Sequence, residues 1–328
     1  MFEEKRVLIT GGTGSWGYEL VKQLIAKEPA KIIIFSRNEF SQVIMKRRFN
    51  SPILQFVIGD VRDYHALENV TKNIDYIFHL AALKHVPICE NQPDEAIKTN
   101  IEGVENLIKA AVNNRVAKVI DVSTDKAVLP LNVYGMTKSL GERLIIHANT
   151  LSETGFVCIR AGNVLGTNGS VVPYFIKQAQ RNEAITLTDP AMTRFFLTLQ
   201  EAISLLFKAS EGSVGGETFV MKMPGFKIFN IAKVIKDEIG NEQTEIKVIG
   251  KRPGEKVHEV LISKYEAENS FIYDQEYFVI LSQLTMPDLS HYYNQKGLKP
   301  IKQEEYTSND HVLGYQETKE ILRQGGFI

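Results

Sequence analysis

The chain is poor in several things, and each scarcity removes a class of answer. Two cysteines in 328 residues, Cys89 and Cys158, lack metal-type spacing and suit a reducing compartment rather than a disulfide-stapled secreted fold. Neither sign of charge is in excess: 38 basic against 39 acidic side chains leave a net charge of -1. That balance argues against a nucleic acid or an anionic membrane as the main partner. No apolar run approaches the roughly 20 residues that a membrane span needs. The start, Met1-Phe-Glu-Glu-Lys-Arg6, does not read as a signal peptide, so a cytoplasmic protein is expected. Repeats and low-complexity tracts are missing as well. A compact soluble chain of this length holds one large or two modest domains.

What is present is alternation. Apolar runs at Arg6–Thr10, Lys31–Phe35, Leu54–Ile58, Tyr76–His79, Lys118–Val122 and Phe156–Arg160 predict buried strands. Between them, Ser15–Ala26, Phe40–Arg48, Asp94–Asn113 and Tyr134–Asn149 have helical spacing. The order predicts an α/β fold with a doubly wound parallel sheet and right-handed crossovers. Beyond Gly166 the pattern is irregular, with helices predicted at Val171–Arg181, Leu199–Ser210 and Phe229–Ile239 and a strand at Glu217–Met221. The expected division is a dinucleotide-binding domain of residues 1–165 plus about 197–222, and a smaller α+β lobe of 166–196 and 223–328. The tail past about 265 shows no readable chemistry.

The first strand runs into Gly11-Gly12-Thr13-Gly14-Ser15-Trp16-Gly17 and then a helix. Glycines at 11, 14 and 17 permit a tight turn, close backbone approach to a pyrophosphate, and close helix packing, with the helix N-terminus facing the phosphates. Trp16 is expected to pack near the cofactor. An acid at the tip of the second strand usually holds the ribose 2′-hydroxyl of NAD, but here that strand ends Ser36-Arg37. A guanidinium suits a 2′-phosphate, which favours NADP over NAD, although Glu39 is near and Arg37 also reads as a solvated turn. Asp60 and Val61 follow the third strand, where the carboxylate either accepts from the adenine amine or caps a helix. Ala81, Ala82, Lys84 and His85 follow the fourth, at the end where ligands bind.

The segment from Ser123 to Lys138 is the most chemically loaded. Tyr134 and Lys138 share a helical face, and an ammonium there lowers the phenol pKa so that tyrosine can take a proton from a hydroxyl. Thr124 closes the strand before them. Asp125-Lys126 adds an acid and a base that simple alcohol oxidation does not need. Tyr-x-x-x-Lys also occurs by chance on helix surfaces, and Asp-Lys in solvated turns.

The Thr124, Tyr134 and Lys138 set resembles the triad of the extended short-chain dehydrogenases/reductases. Thr10–Ser15, Phe35–Arg37, Gly59–Asp63, Ala81–Pro87, Ser123–Ala127, Gly169–Pro173, Met192–Phe195 and Arg252–Lys256 are similar, as a set spread over residues 5–260, to UDP-N-acetylglucosamine 4,6-dehydratases of bacterial surface-sugar biosynthesis. Among these, the C5-inverting enzymes are the nearer likeness. The capsule dehydratase/epimerases are similar too, through Tyr306-Thr-Ser-Asn309 and Gly326-Phe-Ile328, although they often carry Met where this chain has Tyr134.

The resemblance implies an enzyme, a lyase that binds NADP and a UDP-sugar and works as a homo-oligomer. Tyr134 would oxidise C4, Lys126 remove the C5 proton and Asp125 protonate the leaving C6 hydroxyl, provided burial leaves Lys126 partly neutral. Lys84 and His85 are expected at the substrate, Asn163 at a phosphate or sugar group or else as a turn cap, backbone groups of Val171 and Val172 at the uracil edge, Arg194 and Arg252 at the diphosphate, and Glu255 at the ribose hydroxyls. No residue is expected to hold a metal. A 4-epimerase, a dehydratase that forms a 5,6-ene or retains C5, and a non-catalytic dinucleotide sensor are the rival readings.

Overall fold

The computed structural model describes residues 1–167, 170–252, 254–282, 284 and 286–328, with the side chains of 286–288 left aside. The motif residues Gly169 and Pro253 lie outside this set. Among the described residues ten strands form one sheet. Its parallel part contains β1 (Arg6–Thr10), β2 (Lys31–Ser36), β3 (Leu54–Ile58), β4 (Tyr76–His79), β5 (Lys118–Thr124) and β6 (Gly155–Ala161) in the spatial order 3-2-1-4-5-6. Glu217–Met221 then pairs parallel to β6. This is the doubly wound order whose carboxyl ends open a crevice beside β1 and β4.

The apolar runs become central strands because both faces are covered. Ser15–Ile25 and Leu199–Gly212 bring Leu20, Val21, Leu24, Leu205 and Leu206 to one face, all without exposed surface. Gly103–Asn113 and Val133–Ala148 bring Leu107, Ala110, Ala111 and Ile145 to the other. Each such leucine contributes about 1.5–3 kcal/mol by leaving water. A third cluster, built on Phe175, Ile185, Leu187, Phe226, Ile231 and Leu322, stands apart from both faces.

Several expectations change. The helix expected at Asp94–Asn113 is three pieces: Pro93–Ile97, a π-helical turn at Lys98–Glu102, and Gly103–Asn113. Asn100, at the turn, accepts from the Leu83 amide at 2.8 Å and donates to the Leu83 carbonyl and Thr137 Oγ1. Those bonds tie the wider turn to the loop after β4, consistent with π-turns sitting at ligand sites. Short helices at Tyr64–Val70 and Val86–Asn91 escaped the periodicity, being too brief to show two turns of it. Asp63, not Asp60, caps the first of them.

The tail also corrects the expected division. Tyr277–Leu281 pairs antiparallel with Glu217–Met221, and Ser270–Ile272 and Lys299–Pro300 continue outward. Residues assigned to the lobe thus extend the main sheet. Farther on, Tyr306–Thr307 pairs with Val260–Ile262, and Val312–Leu313 with Gly225–Lys227.

His79, at the end of β4, is buried with Nδ1 2.7 Å from Thr10 Oγ1. Burial, against Asp121 and with Lys138, pushes its pKa down from 6.5 to about 4. Below pH 6.5 the unfolded imidazole takes a proton that the folded one refuses. Stability should therefore fall from there and level off near pH 4, by about 3 kcal/mol in all. Guanidinium titrations across that range, on the protein and on His79→Asn, measure the contribution; equal pH slopes would assign the loss elsewhere.

Candidate functional site

The first cleft, of about 600 Å³, lies at the carboxyl ends of the parallel strands. All the residues expected at the cofactor line it: Gly11, Thr13, Gly14, Ser15, Trp16, Gly17, Ser36, Arg37, Asp60, Val61, Ala81, Ala82, Lys84, Tyr134 and Lys138. Gly11 has φ +65°, and a Cβ there would stand 2.8 Å from the Ala81 backbone. A Cβ on Gly17 would meet the Gly12 carbonyl at 2.0 Å. The helix beginning at Ser15 has Gly14 as its N-cap, with no side-chain cap on its amides. Thr99 Oγ1 and Ser123 Oγ, in the cleft wall, are buried without protein partners. A cradle closed to side chains, an uncapped helix start and unspent hydroxyls fit a dinucleotide.

Asp60 is occupied by a residue the sequence reading did not select. Arg62 donates to it from Nε at 2.9 Å and Nη2 at 2.6 Å, and Arg37 stands 3.8 Å away. Burial would raise the Asp60 carboxyl, but these guanidinium contacts hold it below its usual value.

At the floor of the cleft, Tyr134 and Lys138 occupy the first and second turns of Val133–Ala148. Lys138 Nζ is buried and donates to Asp121 Oδ2 at 3.2 Å, an acid within β5 that sequence spacing did not reveal. Burial raises the Tyr134 phenol pKa, and the pull of Lys138 and Lys126 does not overcome it. The expected lowering is thus reversed, because the ring is enclosed and the Asp125 carboxylate adds to the rise.

Thr124 Oγ1 donates to Asp125 Oδ1 at 2.9 Å, and Lys126 Nζ donates to the same oxygen at 3.0 Å. Asp125 is 1% exposed and its Oδ2 has no partner. Lys126 also reaches Asn163 Oδ1 at 3.4 Å and stands 4.0 Å from Glu259 Oε1. Burial favours the neutral amine, but Asp125 and Glu259 outweigh it and raise the Lys126 pKa. The lowering that a base requires is therefore not set by this arrangement alone.

A second cleft, of about 920 Å³, adjoins the first, sharing Lys84, His85, Lys126, Asn163 and Ser170 with it. Val171, Arg194, Arg252 and Glu255 line it as expected. The Val172 side chain is fully buried in the third cluster, which leaves its backbone as the part expected at the uracil. Arg194 has little left for a diphosphate. It donates from Nη1 to the Thr193 and Val257 carbonyls and from Nη2 to Lys256 O, with Nε 3.5 Å from Glu259. It braces the loop that carries the other groups. Arg252, exposed, and Lys256, half-buried and bonded to Val128 O, are the cations left at this wall. Lys256 and Glu259 went unselected because they lie in an irregular tail with no period to orient them.

A family model described as polysaccharide biosynthesis protein matches residues 7–281. An uncharacterised membrane protein of Methanocaldococcus jannaschii is 44% identical over 277 residues, covering 82% of this chain and 83% of its own. In this chain, no helix among the described residues is long and apolar enough to cross a membrane. A UDP-glucose 4-epimerase of Rickettsia bellii (strain OSU 85-389) is 41% identical over 330 residues, 98% of this chain and 96% of that one. The X-ray structure of Pen from Bacillus thuringiensis superposes with a TM-score of 0.93 at 37% identity, over 100% of this chain and 99% of that one.

Proposed function

This chain belongs to the polysaccharide biosynthesis family of extended short-chain dehydrogenases/reductases, and from that premise we propose that it is an NADP-dependent UDP-N-acetylglucosamine 4,6-dehydratase that inverts C5. The observation that carries this reading is the Asp125–Lys126 pair, 3.0 Å apart, whose lysine lines both clefts where they meet and whose acid is buried directly behind it. A 4-epimerase, the activity in the Rickettsia relative's name, has no task for such a pair.

A nicotinamide cofactor held by the glycine loop and the Ala81-Ala82 wall of the first cleft would supply the acceptor and donor of hydride. The protein's own groups handle protons. Tyr134 takes the C4 hydroxyl proton, with Lys138 beneath it to stabilise the phenolate. The 4-ketone then acidifies C5–H. Dehydration needs a proton on Asp125 and none on Lys126, a state reached by one transfer along their existing hydrogen bond. Lys126 then takes the C5 proton, the C5–H electron pair forms the C5–C6 double bond, and Asp125 protonates the departing hydroxyl as water. Lys126 would return a proton to C5, and with hydride regained at C6 the turnover would be redox-neutral. Arg252 and Lys256 face the diphosphate, and Asn163 the sugar.

Proton NMR of UDP-N-acetylglucosamine with the enzyme in deuterated water tests the reading. A new C6 methyl signal with deuterium at C5 is the expected result, and the ring couplings give the C5 configuration. An alkene signal would move the assignment to a 5,6-ene enzyme, and the galacto isomer to an epimerase.

Arg37 lines the cleft beside Asp60, which supports NADP. Arg37→Ala should weaken NADP by about 10–100-fold, the worth of a lost charge-assisted bond, and leave NAD nearly unchanged. Equal losses for both dinucleotides would sink the NADP assignment. Exposed Ile97, at the end of Pro93–Ile97, and exposed Met136 and Leu140, on the sheet-covering helix Val133–Ala148, support self-association as a homo-oligomer, which light scattering measures directly. The setting proposed is the cytoplasm.

A further inference from the structure

Among the described residues, Lys126 has two acidic neighbours, Asp125 and Glu259, and the reaction above leaves Glu259 without a task. It is 3% exposed. Its Oε1 stands 3.5 Å from Arg194 Nε and 4.0 Å from Lys126 Nζ, and Oε2 has no hydrogen-bond partner. A well-made charge-assisted bond is about 2.7–2.9 Å, so this carboxylate is enclosed without being properly satisfied. Enclosure of that kind favours the protonated carboxyl. Burial and then Asp125 raise the Glu259 pKa, while Lys126, Arg194 and Lys256 pull against them. Asp125, Lys126 and Arg194 face it from other segments, and Glu255, Lys256 and His258 are the titratable neighbours on its own.

Its place behind the amine matters because dehydration needs the proton of the 3.0 Å hydrogen bond on Asp125. A full negative charge 4.0 Å from Lys126 opposes that transfer by stabilising the ammonium. Resting on the dehydratase reading, we propose that Glu259 is a positioning residue for the proton of the Asp125–Lys126 pair: ionised, it keeps that proton on Lys126, and protonated from solvent, it lets the proton cross to Asp125. Only N–H and O–H bonds change in this step. The pair left on Nζ becomes the one that takes the C5 proton, and the proton gained by Asp125 is the one that leaves with the C6 hydroxyl. Glu259 lies in the wall of the second cleft and acts through the Lys126 amine rather than on the sugar.

The test follows C5–H exchange of UDP-N-acetylglucosamine in deuterated water against pH, with KM and kcat separated, in the cofactor-loaded enzyme and in Glu259→Gln and Glu259→Asp. Glutamine mimics the protonated carboxyl. The wild-type exchange rate should fall on the alkaline side by about tenfold per pH unit once Glu259 has ionised, whereas Glu259→Gln stays level through that range at an unchanged KM. Glu259→Asp, which still titrates, should keep a falling limb. Superimposable profiles for wild type and Glu259→Gln would overturn the inference, as would loss of exchange in Glu259→Gln at every pH. If the wild type reduces its cofactor but exchanges no C5 proton, the dehydratase reading itself fails and this inference falls with it.

Discussion

Lys126→Ala should lower formation of the 6-deoxy product by about 10²–10⁴-fold, the usual worth of a positioned acid–base group, while reduced nicotinamide accumulates. The two readouts separate because different side chains serve the two half-reactions. Tyr134 and Lys138, on their own helix, handle the C4 hydroxyl. Lys126 and Asp125, on the turn after β5, handle C5 and C6. Single-turnover absorbance of the reduced cofactor, followed with NMR of the sugar, measures both. Removing the amine also strands the buried Asp125 carboxylate, so Lys126→Met, which keeps the apolar stem, controls for folding. An unaltered rate of methyl formation would rule out Lys126 as the base.

Arg160→Ala should destabilise the fold by about 3–5 kcal/mol, because it leaves two carboxylates in the interior without their cation. Arg160 sits in β6 and meets Glu142 with two bonds, Nε to Oε1 at 2.8 Å and Nη2 to Oε2 at 2.7 Å. The same Nη2 stands 2.7 Å from Glu266 Oε1, and Nη1 donates to Leu261 O at 3.2 Å. Burial works against these charges, but the two glutamates prevail and raise the guanidinium's affinity for its proton. The triad fastens the helix carrying Tyr134 to the chain near Leu261 and Glu266. Guanidinium unfolding of Arg160→Ala, beside a triple variant with Arg160→Met, Glu142→Leu and Glu266→Leu, gives the contrast. The triple variant should recover most of the loss, since it strands no charge. A single-variant loss below about 1 kcal/mol would mean that water reaches the glutamates.

Much of this architecture is legible in the sequence, for a physical reason. Strands buried on both faces must be apolar throughout, so β1 and β4 appear with their observed ends, and the half-exposed edge strand β3 shows its ends through Leu54, Phe56 and Val57. β5 runs farther than its apolar run, to Thr124, because its polar end Ser123-Thr124 lines the cleft. The glycine loop is equally legible, since its steric demands act locally. What spacing along the chain does not report is which charge meets which. Asp121 draws on the charge of Lys138, Arg62 occupies Asp60, Arg194 turns its donors on backbone carbonyls, and Glu259 reaches Lys126 from 133 positions farther along the sequence. The expected pKa directions at Tyr134 and Lys126 failed for the same reason: they depend on burial and on partners that are remote in sequence.

The reversal of direction at Tyr277–Leu281 bears on how this polypeptide survives its own synthesis. Until that segment leaves the ribosome, Glu217–Met221 offers a row of unpaired amides and carbonyls beside Phe219 and Val220, an invitation to aggregate with another nascent chain. The sheet then ends on Lys299–Pro300, two residues long, where proline has no amide to offer a further strand. A stop codon anywhere between the two would yield a polypeptide still carrying its catalytic groups but with a sticky flank, and chaperones or proteases, rather than lost chemistry, would decide its fate.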